Sequence, residues 1–269
     1  VEASEGVKFA LISGSHPRHL YYANQIARHF DVAGALIEYR ENMIPMPPRM
    51  LPARDHVNWM RHFYNRFNKE RYYFGVPEAP TLPNVRYTTA EGLNDCADFI
   101  RDLEPDVVLI FGPGMIRPPL FDVLPEHTYN LHLGLSPRYR GAATLFWPFY
   151  FLEPAYAGVT FHRIVSEPDA GLIAHQCRPT LHESDTIHDV ACKAVITATE
   201  DVIKVCNKLE RTGSLDLHKQ KATGKNFLAR DFQPLHLRMI YDVFDDDIVR
   251  AYLDGEIERR EPKMYQQVY

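Results

Sequence analysis

The chain has 269 residues, 45% hydrophobic and 24% charged, the balance of an ordinary globular protein with one large or two modest domains. That composition excludes a disordered chain and a collagen-like repeat, and four cysteines (Cys96, Cys177, Cys192, Cys206) with no Cys-x-x-Cys pair and no dense framework exclude a disulfide-stapled miniprotein. A formal net charge of -5 argues against nucleic acid as the first partner, and apolar runs no longer than a handful of residues, such as Val107 to Phe111, argue against a membrane span.

Phe9 to Ser15 is an apolar run ending in small residues and predicts a strand; Tyr21 to Phe30 carries apolar residues at helical spacing, and Val32 to Tyr39 reads as a second strand. Strand, helix and strand joined by short links make a βαβ unit, so the expected class is α/β with a large, mostly parallel central sheet flanked by helices. From Arg40 to Gly75 this pattern breaks. Pro45, Pro47, Pro48 and Pro52 exclude regular structure, and Asp55 to Phe74 then predicts a helix capped by Asp55. Between Arg40 and Phe74 stand seven Arg/Lys against three Asp/Glu, and Trp59, Phe63 and Phe67 fall on one helical face. That stripe is expected to pack on the domain, with a lid that stacks on a base as the alternative.

Further strands are expected at 85–89, 107–112, 129–134, 158–164 and 172–179, with a helix near 90–103. Asp185 to Leu209 has long helical periodicity, opened by Ser184 or Asp185 as N-cap. After Thr212 the composition turns polar and short-segmented. The expected organisation is a main domain over 1–209, with an insertion at about 40–75, followed by a small extension over 210–269.

The densest stretch is Tyr129-Asn-Leu-His-Leu-Gly-Leu-Ser-Pro-Arg-Tyr-Arg-Gly-Ala143. Asn130 and His132 lie two apart on a strand, so both side chains point to one face, near the carboxyl end where open α/β sheets bind ligands. A lone histidine there reads as a hydrogen-bonded core residue; an amide beside it shifts the reading toward catalysis. Gly134-Leu-Ser136-Pro-Arg138 half matches the nucleophile elbow of serine hydrolases, but Pro137 lacks the N–H its oxyanion hole needs, and Arg138 replaces the second glycine. Close metal-ligand spacing is lacking, and His16 with His19 near a turn is weak evidence, so no metal is expected. A third feature, Ser166-Glu-Pro-Asp169-Ala-Gly171, presents an acid from a turn made rigid by Pro168.

Asn130-Leu-His132, Ser136-Pro-Arg-Tyr-Arg-Gly141, Gly158-Val-Thr160 and Asp169-Ala-Gly171, in this order and at this spacing, resemble the folate-dependent formyltransferases. That family includes glycinamide ribonucleotide transformylase, methionyl-tRNA formyltransferase and the sugar N-formyltransferases; the resemblance is strong over about 107–209 and weak before it. It implies a Rossmann-like formyltransferase fold and transfer from 10-formyltetrahydrofolate, a co-substrate, to an amine without a covalent enzyme intermediate. In that chemistry Asn130 and His132 serve the oxyanion and the ammonium proton, and Asp169 orients the imidazole and favours its charged form. The resemblance places the folate along Phe111, Gly112, Gly114, Met115 and Ile116 and beside Glu167, although Pro113 departs from the usual pattern and removes a donor.

From Glu210 to Tyr269 ten Arg/Lys stand against eleven Asp/Glu, which does not make the basic surface that tRNA phosphates demand. The tail segments Lys225-Asn-Phe, Asp231-Phe and Arg238-Met-Ile-Tyr241 instead look like those of formyltransferases acting on amino sugars. The expected acceptor is therefore a nucleotide-linked amino sugar, held by Ser15, Arg18, Arg138, Tyr139 and Arg140, with the start of the first helix behind Ser15 and Arg18. Methionyl-tRNA, another small amine, an inactive sugar-nucleotide-binding homologue and a hydrolase releasing formate are the alternatives. A cytoplasmic location is expected from the cysteines and the lack of a basic-then-apolar leader at Val1 to Gly6. A homodimer built on the tail is an expectation that no residue count decides.

Overall fold

The structure is a computed structural model and describes residues 6–221 and 224–269. It opens with β1 (Phe9–Gly14), α1 (Pro17–His29) and β2 (Val32–Glu38), followed by α2 (Ala53–Phe74), β3 (Asn84–Thr88), α3 (Ala97–Leu103), β4 (Val107–Phe111) and β5 (His127–His132). Then come β6 (Tyr139–Gly141), α4 (Trp147–Tyr150), β7 (Val159–Arg163), β8 (Ile173–Cys177), α5 (Ile187–Thr212), β9 (Lys225–Phe227) and α6 (Ile248–Leu253). Seven strands form the central sheet in the order β3-β2-β1-β4-β5-β7-β8. The first five are parallel, and β7 and β8 turn antiparallel. Every residue of β1 and β4 is buried, because helices cover both faces of the sheet; this is why those strands read as continuous apolar runs rather than as alternation.

The order places β1 beside β4, where the chain's direction of travel across the sheet reverses. Such a switch point leaves a crevice at the carboxyl ends of the two strands, here at Gly14 and Phe111, with His132 at the end of the next strand.

Several element limits differ from expectation for local reasons. Helix α5 is capped by Thr186 rather than Ser184 or Asp185: its hydroxyl accepts from the Asp189 N–H while the Asp189 carboxylate accepts from the Thr186 N–H. Asp185 is instead paired with Lys193. Asp55 does not cap α2, which starts at Ala53; it lies within the first turn and receives a two-pronged bond from Arg238 at 2.6 and 2.7 Å. The expected helix near 90–103 is a 3-10 turn, Leu93–Cys96, running into the shorter α3.

In α2, Trp59 and Phe63 are buried while Phe67 is half-buried under Arg71, so the aromatic stripe packs inward over two of its three rings. Helix α5 runs to Thr212. Beyond it, Phe227, Leu237, Ile240, Tyr241 and Val249 join the same apolar cluster as β1, α2 and α5. Near the end of the chain, Gln267 returns to β8, its backbone N–H donating to His175 Nδ1. Among the described residues, no helix is long and apolar enough to cross a membrane.

Candidate active site

A cavity of about 430 Å³ opens at the carboxyl edge of the sheet, between the start of α1, the ends of β4 and β5 and the loop after β7. Asn130 and His132 line it because alternation on β5 sends both side chains to that face. Asp169 reaches it from the β7–β8 turn, with a φ of 52° that side chains adopt rarely. Two contacts hold this turn from either side. The Gly141 N–H donates to Asp169 Oδ2 at 3.0 Å, and Gln220 Nε2 donates to the carbonyls of Asp169 and Gly171 at 2.8 and 2.7 Å.

His132 Nδ1 lies 3.3 Å from Asp169 Oδ1, and its Nε2 donates to the Tyr139 carbonyl at 2.9 Å. A carbonyl can only accept, so Nε2 carries hydrogen and Nδ1 is the atom left to exchange a proton. Burial pushes His132 below its ordinary imidazole value, opposed by the Asp169 charge; the expectation that Asp169 tips it toward the charged form is outweighed by that burial. Burial also works against ionisation of Asp169, but His132, His162 and the Gly141 N–H outweigh it and hold the carboxyl well below the usual carboxylate range.

His162 completes the cluster. Its Nδ1 donates to the Arg163 carbonyl at 2.9 Å, so its Nε2 accepts from Asn130 Nδ2 at 3.3 Å and stands 3.5 Å from Asp169 Oδ1. His162 is not among the residues that the sequence motifs mark. Its signal was the two-residue spacing from Thr160 on a strand, which becomes meaningful only once β7 pairs with β5 and sets His162 opposite Asn130.

Of the residues expected to hold a folate, Phe111, Gly112, Gly114, Met115 and Ile116 all line the cavity, whereas Glu167 is exposed and faces Arg140 at 3.5 Å. Gly112 has a φ of 78°, and a Cβ on it would overlap the His19 ring, so only glycine fits there. The Gly114 N–H is taken by Glu38 Oε2 at 2.6 Å. Glu38 is a fully buried acid at the end of an apolar strand, paired with Arg40, and it anchors this loop.

The residues expected to hold the acceptor divide. Arg18 lines the cavity, at the first turn of α1. Ser15 accepts from the Arg40 N–H, which keeps its hydroxyl in the loop framework. Arg138 and Tyr139 do not reach the cavity: Arg138 makes a two-pronged bond to Glu153 at 2.9 and 2.6 Å, and the Tyr139 hydroxyl donates to the same carboxylate at 2.8 Å. Their place is structural, since Glu153 is a buried acid that needs these donors. Arg140 stays near the site, where its charge disfavours protonation of His132. Ser136 is buried with its N–H on Thr160 Oγ1, away from any hydrolase geometry.

Among the described residues, His175, Cys177 and Asp201 bring metal-ligating atoms together behind β8. Both nitrogens of His175 are used there, one by the Gln267 N–H and one on Asp201.

The model of the family described as formyl transferase matches residues 69–205, half of the chain. Over 151 residues the chain is 32% identical to a methionyl-tRNA formyltransferase of Thermotoga neapolitana, a match covering 55% of this chain and 47% of that protein, so the matched region spans about half the length of this relative. The fold is similar to that of the formyltransferase PseJ from Anoxybacillus kamchatkensis, solved with UDP-4,6-dideoxy-4-formamido-L-AltNAc and tetrahydrofolate (TM-score 0.51, 19% identity, 90% of this chain and 96% of that one). It is also similar to phosphoribosylglycinamide formyltransferase from Anaplasma phagocytophilum (TM-score 0.54, 14% identity, 84% and 99%). With the family model covering β4 to β8 and the Asn130, His132 and Asp169 cluster within them, the chain belongs to the formyl transferase family.

Proposed function

We propose that the protein transfers a formyl group from 10-formyltetrahydrofolate to the amine of a nucleotide-linked amino sugar. The observation that carries this reading is the convergence of Asn130, His132 and Asp169 on one wall of a cavity at the carboxyl edge of the sheet. Formyl transfer needs a donor for the oxygen that gains charge, a group that takes a proton from the attacking amine, and room for two reactants. One amide hydrogen of Asn130 goes to His162, leaving the second for that oxygen. His132 Nδ1 takes the proton from the attacking amine, Asp169 stabilises the imidazolium so formed, and the imidazolium returns the proton to the folate nitrogen as its bond to the formyl carbon breaks. The folate would supply the activated one-carbon group. The wall at Phe111, Gly112, Met115 and Ile116 gives this co-substrate a largely apolar surface to lie against.

The acceptor class rests on the charge balance of the tail, which offers tRNA phosphates no basic surface, and on the likeness to PseJ with its UDP-linked sugar. The identity to a methionyl-tRNA formyltransferase keeps methionyl-tRNA as the second reading. We assign residues 1–209 as the catalytic domain and 210–269 as an extension that closes over it, in a cytoplasmic enzyme.

The test is a turnover assay with 10-formyltetrahydrofolate and, as acceptors, a panel of UDP- and dTDP-linked amino sugars and methionyl-tRNA, following tetrahydrofolate release and product mass. One added formyl group on one sugar supports the reading. Formylation of methionyl-tRNA alone would replace it, and folate release without a formylated sugar would point to hydrolysis.

A further inference from the structure

Residues beyond α5 reach the active site, although the family match ends at residue 205. Strand β9 pairs parallel with β6, with Tyr139 opposite Lys225 and Gly141 opposite Phe227. The approach is close: a Cβ on Gly224 would overlap the Pro137 carbonyl, and one on Gly141 would overlap the Phe227 carbonyl, so both places need glycine. The buried Phe227 ring then stacks on Trp147 at 4.7 Å and on Tyr139 at 6.0 Å.

Successive residues of a strand turn their backbone groups to opposite edges. The Ala142 N–H donates to the Phe227 carbonyl at 2.7 Å, which puts Arg140 and Ala142 on the edge facing β9 and Tyr139 and Gly141 on the other. That other edge meets the His132 and Asp169 pair. The Tyr139 carbonyl accepts from His132 Nε2 at 2.9 Å, and the Gly141 N–H donates to Asp169 Oδ2 at 3.0 Å. One strand of three residues therefore carries the tail on one edge and both site residues on the other. Earlier in the tail, Gln220 ties down the Asp169 turn through the carbonyls of Asp169 and Gly171. So short a strand has little order of its own, and its pairing with β9 is what keeps its carbonyl and N–H aimed.

We infer that Gly224, Phe227 and Gln220 are positioning residues of the active site: the tail splints β6, so that the Tyr139 carbonyl fixes the hydrogen on His132 Nε2 and leaves Nδ1 facing Asp169 and the incoming amine. The inference rests on the reading of His132 as the proton acceptor in formyl transfer. It gives the extension over 210–269 a part in the reaction itself, through β6 and the Asp169 turn. Aim of this kind matters, since a misplacement of about 1 Å can lower a rate by about 10²-fold.

Gly224→Ala pushes β9 off β6, and Phe227→Leu loosens the same pairing more gently. Each variant of the full chain is read in three ways. Hydrogen exchange follows the Ala142 amide, which is bonded to the Phe227 carbonyl. Nitrogen NMR of the His132 ring tells the Nε2–H form from the Nδ1–H form. Steady-state kinetics use 10-formyltetrahydrofolate and the acceptor found in the turnover assay. The expected result is Ala142 exchange faster by about tenfold or more, a mixture of both His132 forms in place of Nε2–H alone, and kcat lower by roughly tenfold with KM for the folate within about twofold. Val243→Ala, at an exposed place in the tail, should change none of these. Unchanged Ala142 exchange in the folded variants, or faster exchange with either the His132 form or kcat as in the wild type, overturns the inference. Phe227→Leu keeps an apolar side chain in place, so the test holds even if Gly224→Ala folds poorly. Exchange and ring forms need no substrate: if both respond while the wild type formylates no acceptor, the reading of the reaction fails alone, whereas formylation with an unresponsive His132 sinks the splint alone.

Discussion

His132 and Asp169 are coupled through a single ring nitrogen: Nδ1 stands 3.3 Å from the carboxylate while Nε2 is bonded to the Tyr139 carbonyl, so both nitrogens face acceptors. A neutral imidazole satisfies one of them, and the imidazolium satisfies both at the cost of a buried charge. The pair is therefore poised to gain a proton when an amine delivers one.

Replacing His132 by Ala removes that proton acceptor and should lower kcat by about 10²- to 10⁴-fold. The melting temperature should stay within a few degrees, since the residue lines a cavity rather than the sheet interior. Retained turnover in steady-state assays would remove His132 from the chemistry.

The pH profile follows from the direction of the shifts. Burial places His132 below its ordinary value of 6.5, so the acidic limb of kcat/KM should lie below that pH. Asp169 favours the imidazolium, and Asp169→Asn removes that support; the limb should move to still lower pH, with the plateau reduced about 10²-fold or more. A limb moving to higher pH would contradict the coupling.

Gln220→Ala should loosen the turn that holds Asp169, because Nε2 ties two of its carbonyls together. The expected result is a kcat lower by roughly tenfold with KM little changed, as positioning errors act on the transition state. Equal loss in kcat for Gln220→Ala and Gln220→Glu, with no change in the acidic limb, would assign Gln220 to general stability instead.

Gly112→Ala forces a side chain into a φ of 78° and into the His19 ring, at a cost of about 1–3 kcal/mol. Adding His19→Ala should recover part of that loss in urea unfolding, leaving only the backbone strain. Additive losses would mean that the two residues do not meet.

Acid should destabilise the fold through its buried neutral histidines. The His188 value is depressed from 6.5 to about 3, so its contribution is fully present above 6.5 and is lost as pH falls through that window, when the unfolded chain binds a proton the folded one refuses. His188→Leu should lower the slope of unfolding free energy against pH by about 1.4 kcal/mol per pH unit between those limits. An unchanged slope would show that His188 is charged in the folded protein.

Much of this was legible in the amino-acid sequence for local reasons. Apolar runs such as Phe9 to Ile12 and Val107 to Phe111 specify buried parallel strands, and the two-residue spacing of Asn130 and His132 puts both on one face whatever the surroundings. The turn at Asp169 was visible from Pro168 and Gly171. Tertiary structure decided what depends on partners distant in sequence. His162 joins the site through strand pairing, Arg138 and Tyr139 leave it because the buried Glu153 claims them, and the cap of α5 moves to Thr186 because Asp185 is taken by Lys193. The cavity lined by Phe63 of α2, His188 of α5 and Phe232 of the tail is likewise assembled only by folding: a side chain's type is local, but whether its polar atoms are satisfied depends on what packs beside it.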